Sequence, residues 1–207
     1  MHLPSLPVAL AALCLMATTT SAVKLVPWQV RSLGTYSPSG RPGSTPFSSL
    51  SFTILDNNTV DTGPVLSKQP SEIKCRMEWS SRAQSDDEPP PPKDWFYGVV
   101  NDNCTAVDNG RWTFRLLKAG ESECAGKRPS ATTCFDLEVT QAVRATAGRD
   151  EGDYEAVLVG RAHFETGVNM VGMCAGSGFC NWALADDAKP FYVEQEFTNC
   201  RGFCGED

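Results

Sequence analysis

Apolar and polar residues alternate along most of this chain, which is typical of β-strands with one face in the core and the other in water. The alternation predicts strands whose apolar positions are Val26, Trp28 and Val30; Phe52 and Ile54; Met77 and Trp79; Trp112, Phe114 and Leu116; Phe135, Leu137 and Val139; and Phe191, Val193 and Phe197. A longer strand is predicted over 154–164, and the unbroken apolar run over 95–100 predicts a buried strand.

Helical periodicity is weak throughout the chain. Only 140–147 could continue helically, and Val139 and Val143 are its sole support. Three polar segments, 32–49, 80–93 and 118–133, are predicted to be loops, and none is long enough to mark a second domain. About seven to ten strands with turn-rich joints predict an all-β fold. We expect a compact antiparallel β-barrel or sandwich, reinforced by disulfides, with little or no helix.

The first 22 residues differ from the rest because they contain no Lys, Arg, Asp or Glu. Their apolar core, densest over 8–17, is followed by Thr20 and Ala22, small residues that suit a cleavage site. We therefore predict a signal peptide over 1–22 and a single secreted β-barrel domain over 23–207. A membrane anchor is the alternative, but the apolar core is short for spanning a bilayer.

The charge balance narrows the choice of partners. The formal net charge is −7, and all of it lies beyond residue 22. An acidic surface repels phosphate backbones and anionic lipid heads, so neither nucleic acid nor membrane is an expected partner.

The cysteines are the clearest chemical feature. Of nine, Cys14 leaves with the predicted signal peptide, and the remaining eight are Cys75, Cys104, Cys124, Cys134, Cys174, Cys180, Cys200 and Cys204. Export should oxidise them to disulfides. Eight cysteines allow 105 pairings, so spacing alone does not settle the pairing. Their order along the chain suggests four local pairs, namely Cys75–Cys104, Cys124–Cys134, Cys174–Cys180 and Cys200–Cys204. No metal or cofactor is expected, because oxidised thiols are not ligands and only one histidine remains after cleavage.

Catalytic chemistry finds little support. His163 is that histidine, on the strand face of Val159 and Arg161, and no Gly-x-Ser-x-Gly elbow is present. Two carboxylate pairs that share a strand face, Asp136 with Glu138 and Glu194 with Glu196, could serve a glycosidase, but such pairs are usually solvated. Asp136 and Glu138 could instead face Arg111 and Arg115 if those two strands are neighbours. No catalytic residue is predicted.

Two further features concern the surface. Asn57 and Asn103 begin glycosylation sequons, and Asn57 is the better acceptor because a cysteine follows Asn103. Phe179 and Trp182 lie beside the glycine-containing loop between Cys174 and Cys180. The simpler interpretation is that both side chains pack under that loop. The alternative is that at least one is exposed and anchors a partner.

The order of these features resembles a known family. Trp28-Gln29-Val30 precedes a Gly/Ser-rich connection and Phe52-Thr53-Ile54. Cysteines 75 and 104 then flank Trp95-Phe96, the strand 135–139 follows, and a loop closed by two cysteines precedes the last strand. This order is similar to that of the AA1-like fungal secreted proteins, typified by the major Alternaria allergen. The resemblance implies a β-barrel, fungal secretion, allergenicity and a role as a host-directed effector without an established catalytic site.

The resemblance also implies two disulfides, Cys75–Cys104 and Cys174–Cys180. The allergen's covalent dimer is not expected here, because 23–74 contains no cysteine. The leading hypothesis is therefore a non-enzymatic effector and allergen that binds a host protein or a small apolar ligand. The alternatives are a secreted hydrolase acting on cell-wall polysaccharide and a structural wall or matrix protein.

Overall fold

The all-β prediction is confirmed by the computed structural model, which describes residues 25–58, 70–80, 89, 91–92, 94–108, 110–146 and 153–201. Those residues form ten strands and two three-residue 3₁₀ helices. The strands are β1 (Trp28–Ser37), β2 (Ser48–Asp56), β3 (Ser71–Trp79), β4 (Arg111–Leu117), β5 (Cys134–Thr146), β6 (Asp153–Glu165), β7 (Met170–Cys174), β8 (Cys180–Leu184), β9 (Phe191–Val193) and β10 (Gln195–Arg201). In these ranges no helix is both long and apolar enough to cross a membrane.

The strands form two antiparallel sheets. One has the order β3-β2-β1-β8-β7, and β9 joins it as a sixth strand beside the first half of β1. The other has the order β10-β6-β5-β4. No closed barrel is found among the described strands, so the sandwich, not the barrel, is the form of the prediction that fits them.

Both sheets contribute side chains to the main apolar core. In β4 every second residue, Trp112, Phe114 and Leu116, is buried, as alternation predicts. Ring contacts join the sheets: the ring centres of Trp28 and Trp112 are 4.9 Å apart, and those of Phe52 and Phe114 are 5.0 Å apart. Burying such a side chain contributes about 1.5–3 kcal/mol. Period-two patterning is therefore the main determinant of this fold.

A buried polar network also connects the sheets. Asp56, at the end of β2, accepts hydrogen bonds from the Asn58 side chain (2.8 Å) and from Gln141 of β5 (3.1 Å). Gln195 donates to the carbonyl of Val26, which Asn58 also contacts. Because these buried groups have partners, the network fixes where the two sheets meet without a large desolvation penalty.

Three of the predicted disulfides are present: Cys75–Cys104, Cys124–Cys134 and Cys174–Cys180. The fourth predicted pair, Cys200–Cys204, lies outside the described residues. Disulfides of this number are typical of proteins that fold in an oxidising compartment.

The buried strand predicted over 95–100 is wrong. Residues 94–98 form a turn instead, with positive φ at Asp94 (65°) and Gly98 (76°). Phe96 is buried, but Trp95, Val99 and Val100 are exposed. The apolar run misled the prediction because it could not show that the chain reverses direction within it.

Other boundaries differ from the predictions in smaller ways. The suggested helical continuation over 140–147 is wrong, because β5 stays extended to Thr146. Part of the predicted loop 32–49 is strand, since β1 runs to Ser37 and β2 begins at Ser48. Alternation did not predict β7 and β8.

Candidate functional site

The β7–β8 hairpin contains both sequence-predicted binding residues. Cys174 and Cys180 are paired opposite each other, and their disulfide closes the loop between the strands. Inside the loop the amide of Gly178, at φ 95°, donates to the carbonyl of Ala175 at 2.8 Å. A tight turn and a disulfide together hold this loop in one place.

Gly172 allows β7 and β8 to approach closely. A Cβ added there would lie 2.0 Å from the carbonyl oxygen of Asn181 and 2.8 Å from the Cα of Trp182. Both are backbone atoms of the neighbouring strand, which cannot move without breaking the ladder. The hairpin therefore depends on glycine at this position.

The outward face of the hairpin is mostly apolar, and the exposed Asn181 of β8 also lies on it. Val171 lies opposite Ala183, and Met173 lies opposite Asn181. Val171 is 55 % exposed, Met173 is 76 % exposed, and Phe179 in the loop is 38 % exposed. The ring centre of Phe179 is 6.4 Å from that of Tyr36 on β1. We call this set of residues, namely Tyr36, Val171, Met173, Phe179 and Ala183, the β7 surface.

The β7 surface lies at the end of its sheet. β7 follows β8 as the last strand of the six-stranded sheet, and no described strand forms a ladder along its other edge. Strand edges in soluble proteins are normally blunted by charged residues or proline. β7 contains neither, since its sequence is Met-Val-Gly-Met-Cys.

Trp182 lies on the opposite side of the same sheet. It pairs with Gly172 and with Thr35 of β1, and its side chain packs half-buried against the main core. Its indole Nε1 is buried and finds no hydrogen-bond acceptor among the described residues. The structure thus separates the two sequence-predicted residues, with Phe179 facing outward and Trp182 facing the core.

The outer face of the four-stranded sheet carries charge instead. Arg115 of β4 and Arg161 of β6 flank Glu138 of β5, and all three are register partners. Arg161 Nη2 lies 2.7 Å from Glu138 Oε2. The predicted pairing of Arg115 with Glu138 is confirmed, whereas Arg111 lies opposite Ala142 and bonds Asp102.

These arginines determine the charge state of Glu138. Burial raises the pKa of its carboxyl, but hydrogen bonds from Arg161 and Arg115 lower it, and the lowering prevails. A carboxyl held ionised in this way is a poor general acid. Glu194 and Glu196 line an open cleft of about 770 Å³ with the same two arginines.

His163 has a carboxylate beside its ring. Its Nδ1 is 2.7 Å from Asp136 Oδ1, and its Nε2 is 3.9 Å from the sulfur of Cys134. That sulfur belongs to a disulfide and is not a nucleophile. The strand face predicted for His163 is confirmed, because Leu158 and Phe164 are buried while Arg161 is exposed.

The two glycosylation sequons lie in different surroundings. Asn57 is half-buried directly after β2, and Thr59, which completes its sequon, lies outside the described residues. Asn103 is exposed, but Cys104 in the middle of its sequon forms a disulfide with Cys75.

Comparison of the chain with protein-family models, with curated proteins and with solved structures finds no match in any of the three. The resemblance to the AA1-like proteins therefore remains a prediction from the sequence. Alternation alone did not predict a surface formed by Val171, Met173 and Tyr36. These residues share a face only because of the pairing of β8 with β1 and β7.

Proposed function

We propose that this chain is a secreted, non-enzymatic binding protein of the AA1-like type, and that the β7 surface contacts a host protein. The observation that carries the proposal is the cluster of exposed apolar side chains on an uncharged edge strand. Soluble proteins rarely expose large contiguous apolar patches, and those that they do expose often mark interaction sites.

The composition of the β7 surface suits protein contact. Aromatic residues and methionine are enriched at the centres of interfaces, and lysine and glutamate are depleted there. Tyr36, Phe179 and Met173 supply the enriched types, and Asn181 of β8 lies opposite both Tyr36 and Met173. The free edge of β7 adds backbone donors and acceptors, which a partner strand can extend into a further ladder.

The shape of the surface favours a protein over a small apolar ligand. Small molecules usually bind in concave pockets lined by apolar groups. Val171 and Met173 instead stand out from the sheet, and the cleft of about 770 Å³ on the other sheet is lined by arginines and glutamates. A protein can cover an outward face that a small ligand cannot enclose.

The test is capture of proteins from the extracellular fluid of host tissue by immobilised secreted protein. Met173→Ser should reduce the amount of the captured protein at least about tenfold, as expected for a central interface residue. Val100→Ser is the matched control, since Val100 is 60 % exposed but lies in the loop before β4. Equal capture by both variants would refute the β7 surface as the binding site. Binding only of an apolar dye, and of no protein, would favour the small-ligand alternative.

Secretion is tested separately by sequencing the amino terminus of protein from a culture medium. Cleavage of the predicted signal peptide leaves Val23 as the first residue. Protein that remains with the cells and starts at Met1 would contradict secretion. An assay against a panel of wall polysaccharides tests the hydrolase alternative, and we expect no released sugar.

A further inference from the structure

One histidine and three carboxylates meet on the outer face of the four-stranded sheet, near its end. Asp136 of β5 lies opposite His163 of β6, and Cys134 lies opposite Glu165 two positions along. The Cys124–Cys134 disulfide joins the loop before β5 to that sheet, and the 3₁₀ helix Glu121–Glu123, which directly precedes Cys124, contributes Glu123. Cross-strand pairing therefore assembles a site that no local sequence motif encodes.

The ligand atoms of three of these residues are close enough to share one ion. Each of Glu123, Asp136 and His163 offers one atom, and these atoms all lie within 4.8 Å of one another. Asp136 Oδ1 is already 2.7 Å from the ring nitrogen Nδ1. Glu123 is held by the amide of Gly120, which donates to its Oε2 at 2.6 Å.

A second observation concerns the other side of the ring. The side chain of Glu165 is only 4 % exposed, and its Oε1 is buried and accepts no hydrogen bond from the described residues. Lys127 Nζ lies 3.5 Å from Oε1, and His163 Nε2 lies 4.0 Å from Oε2. A buried carboxylate usually has hydrogen-bond donors, because leaving it without them is costly. The other oxygen of this carboxylate, Oε2, faces the second nitrogen of the imidazole.

We propose that Glu123, Asp136 and His163 form a zinc site, with Nδ1 as the histidine ligand and Glu165 as the carboxylate that orients the ring. A metal on Nδ1 leaves the ring proton on Nε2, where it faces Glu165. Histidines that bind metals almost always donate their other N–H to a carboxylate, a carbonyl or water. Three protein ligands leave a fourth tetrahedral position for water.

The chemistry of the ligands selects the metal and the side of the ring. An imidazole with two carboxylates suits Zn²⁺, whereas Mg²⁺ and Ca²⁺ prefer oxygen ligands alone. Ligand atoms around tetrahedral zinc are about 3.3 Å apart, so the 2.7 Å contact of Asp136 with Nδ1 must widen by about half an ångström. On the Nε2 side the third neighbour is Cys134, whose disulfide sulfur is a poor ligand.

The test is zinc binding at pH 7.5 by the secreted protein with its disulfides intact, measured by competition with a chromophoric chelator. The wild type should bind one Zn²⁺ per chain and prefer it to Mg²⁺ by at least about a hundredfold. Asp136→Asn and Glu123→Gln should each weaken binding at least about tenfold. Both variants preserve shape and a hydrogen-bond acceptor, so the fold should survive.

Glu121→Gln is the matched control, because Glu121 belongs to the same 3₁₀ helix and the substitution removes the same charge. Its zinc affinity should stay within about twofold of the wild type. If Glu121→Gln and Glu123→Gln weaken zinc binding equally, the negative charge of this region attracts the ion without specific ligands, and the proposal is overturned. Failure of the wild type to bind zinc below about 1 mM would overturn it as well.

The role of Glu165 is tested by Glu165→Gln. Loss of an orienting carboxylate typically costs 10–100-fold in metal affinity, and the stoichiometry should remain one. Nitrogen NMR of His163 in the zinc-bound protein should show the metal on Nδ1 and the proton on Nε2. A metal on Nε2, or unchanged affinity in Glu165→Gln, would refute the assigned geometry. Host-protein capture through the β7 surface should be the same with and without zinc.

Discussion

Glu138 shows how a single buried charge is accommodated on this sheet. Its side chain is buried between two guanidinium groups that remain partly exposed to water. Removing a carboxylate from water is costly, and hydrogen bonds to two arginines offset that cost. The ion pairs of Glu138 with Arg115 and Arg161 therefore contribute to stability only while Glu138 is ionised.

We expect Glu138→Gln to lower the free energy of unfolding at pH 7 by about 1–3 kcal/mol. The pKa of Glu138 is lower in the folded protein than in the unfolded chain, so its contribution is complete above the unfolded value of about 4.3. That contribution is lost as the pH falls through the folded-state pKa. Urea unfolding at pH 7 and pH 3 measures this, with exposed Glu194→Gln as the control. A difference between wild type and Glu138→Gln that is equally large at pH 3 would contradict the explanation.

Phe179 and Trp182 should respond differently to truncation, because they lie on opposite sides of one sheet. Trp182 packs against the core, so Trp182→Ala should lower the free energy of unfolding by about 1–3 kcal/mol. Phe179→Ala should leave stability within about 0.5 kcal/mol and weaken capture of the host protein. Thermal unfolding and capture assays on both variants measure this. A stable Trp182→Ala protein that fails to bind would place the tryptophan in the interface instead.

At the scale of elements, the β7–β8 hairpin contains two glycines with different surroundings. Gly172 lies where the two strands approach closely, whereas a Cβ added at Gly176 would meet no atom within 4 Å. The two positions are four residues apart in the same hairpin. They form a natural matched pair for substitution.

Gly172→Ala should destabilise the protein by about 1–3 kcal/mol, because the new methyl group collides with the backbone of β8. It should also reduce capture of the host protein, since the β7 surface is displaced. Gly176→Ala should leave both properties close to wild type. Urea unfolding and capture measure these outcomes, and equal behaviour of the two variants would refute the close approach at Gly172.

The strands that the sequence could predict are those whose alternation is long and unbroken, such as β4 and β5. Alternation failed for β7 and β8, because both strands are short and Gly172 interrupts the first. It also failed for residues 94–98, where a turn lies inside an apolar run. Periodicity reports which side chains share a face, but it does not report where a chain reverses.

The candidate sites were harder to predict than the strands. Phe179 could be identified because it lies in a loop closed by two cysteines. Met173 and Val171 could not, since their exposure depends on β7 being the last strand of its sheet. The same holds for Asp136 and Glu165, which meet His163 only through the register of β5 with β6. Register between strands is a tertiary property.

At the scale of the whole molecule, two packed sheets and local disulfides stabilise the same state. The Cys75–Cys104 disulfide closes the longest of the described disulfide loops, with a sequence separation of 29. By loop entropy it contributes about 3.5 kcal/mol. Because Cys75 also belongs to the apolar core, this disulfide links the loop that contains Cys104 directly to the core.

We expect the mature protein to contain four disulfides and no free thiol, since export oxidises an even number of cysteines. Thiol titration in denaturant measures the total, and peptide mapping measures the pairing. Two or more reactive thiols per chain would contradict the prediction. A partner other than Cys104 for Cys75 would also remove the main support for the AA1-like resemblance.

The most direct test of the proposed binding function is amide hydrogen exchange of the purified protein, alone and bound to the host protein that it captures. Exchange should slow at the amides of β7 and of residues 175–179, because a partner on this edge covers or pairs with them. Exchange on the four-stranded sheet should not change. Slowing confined to that sheet, with β7 unaffected, would contradict the assignment of the β7 surface as the binding site.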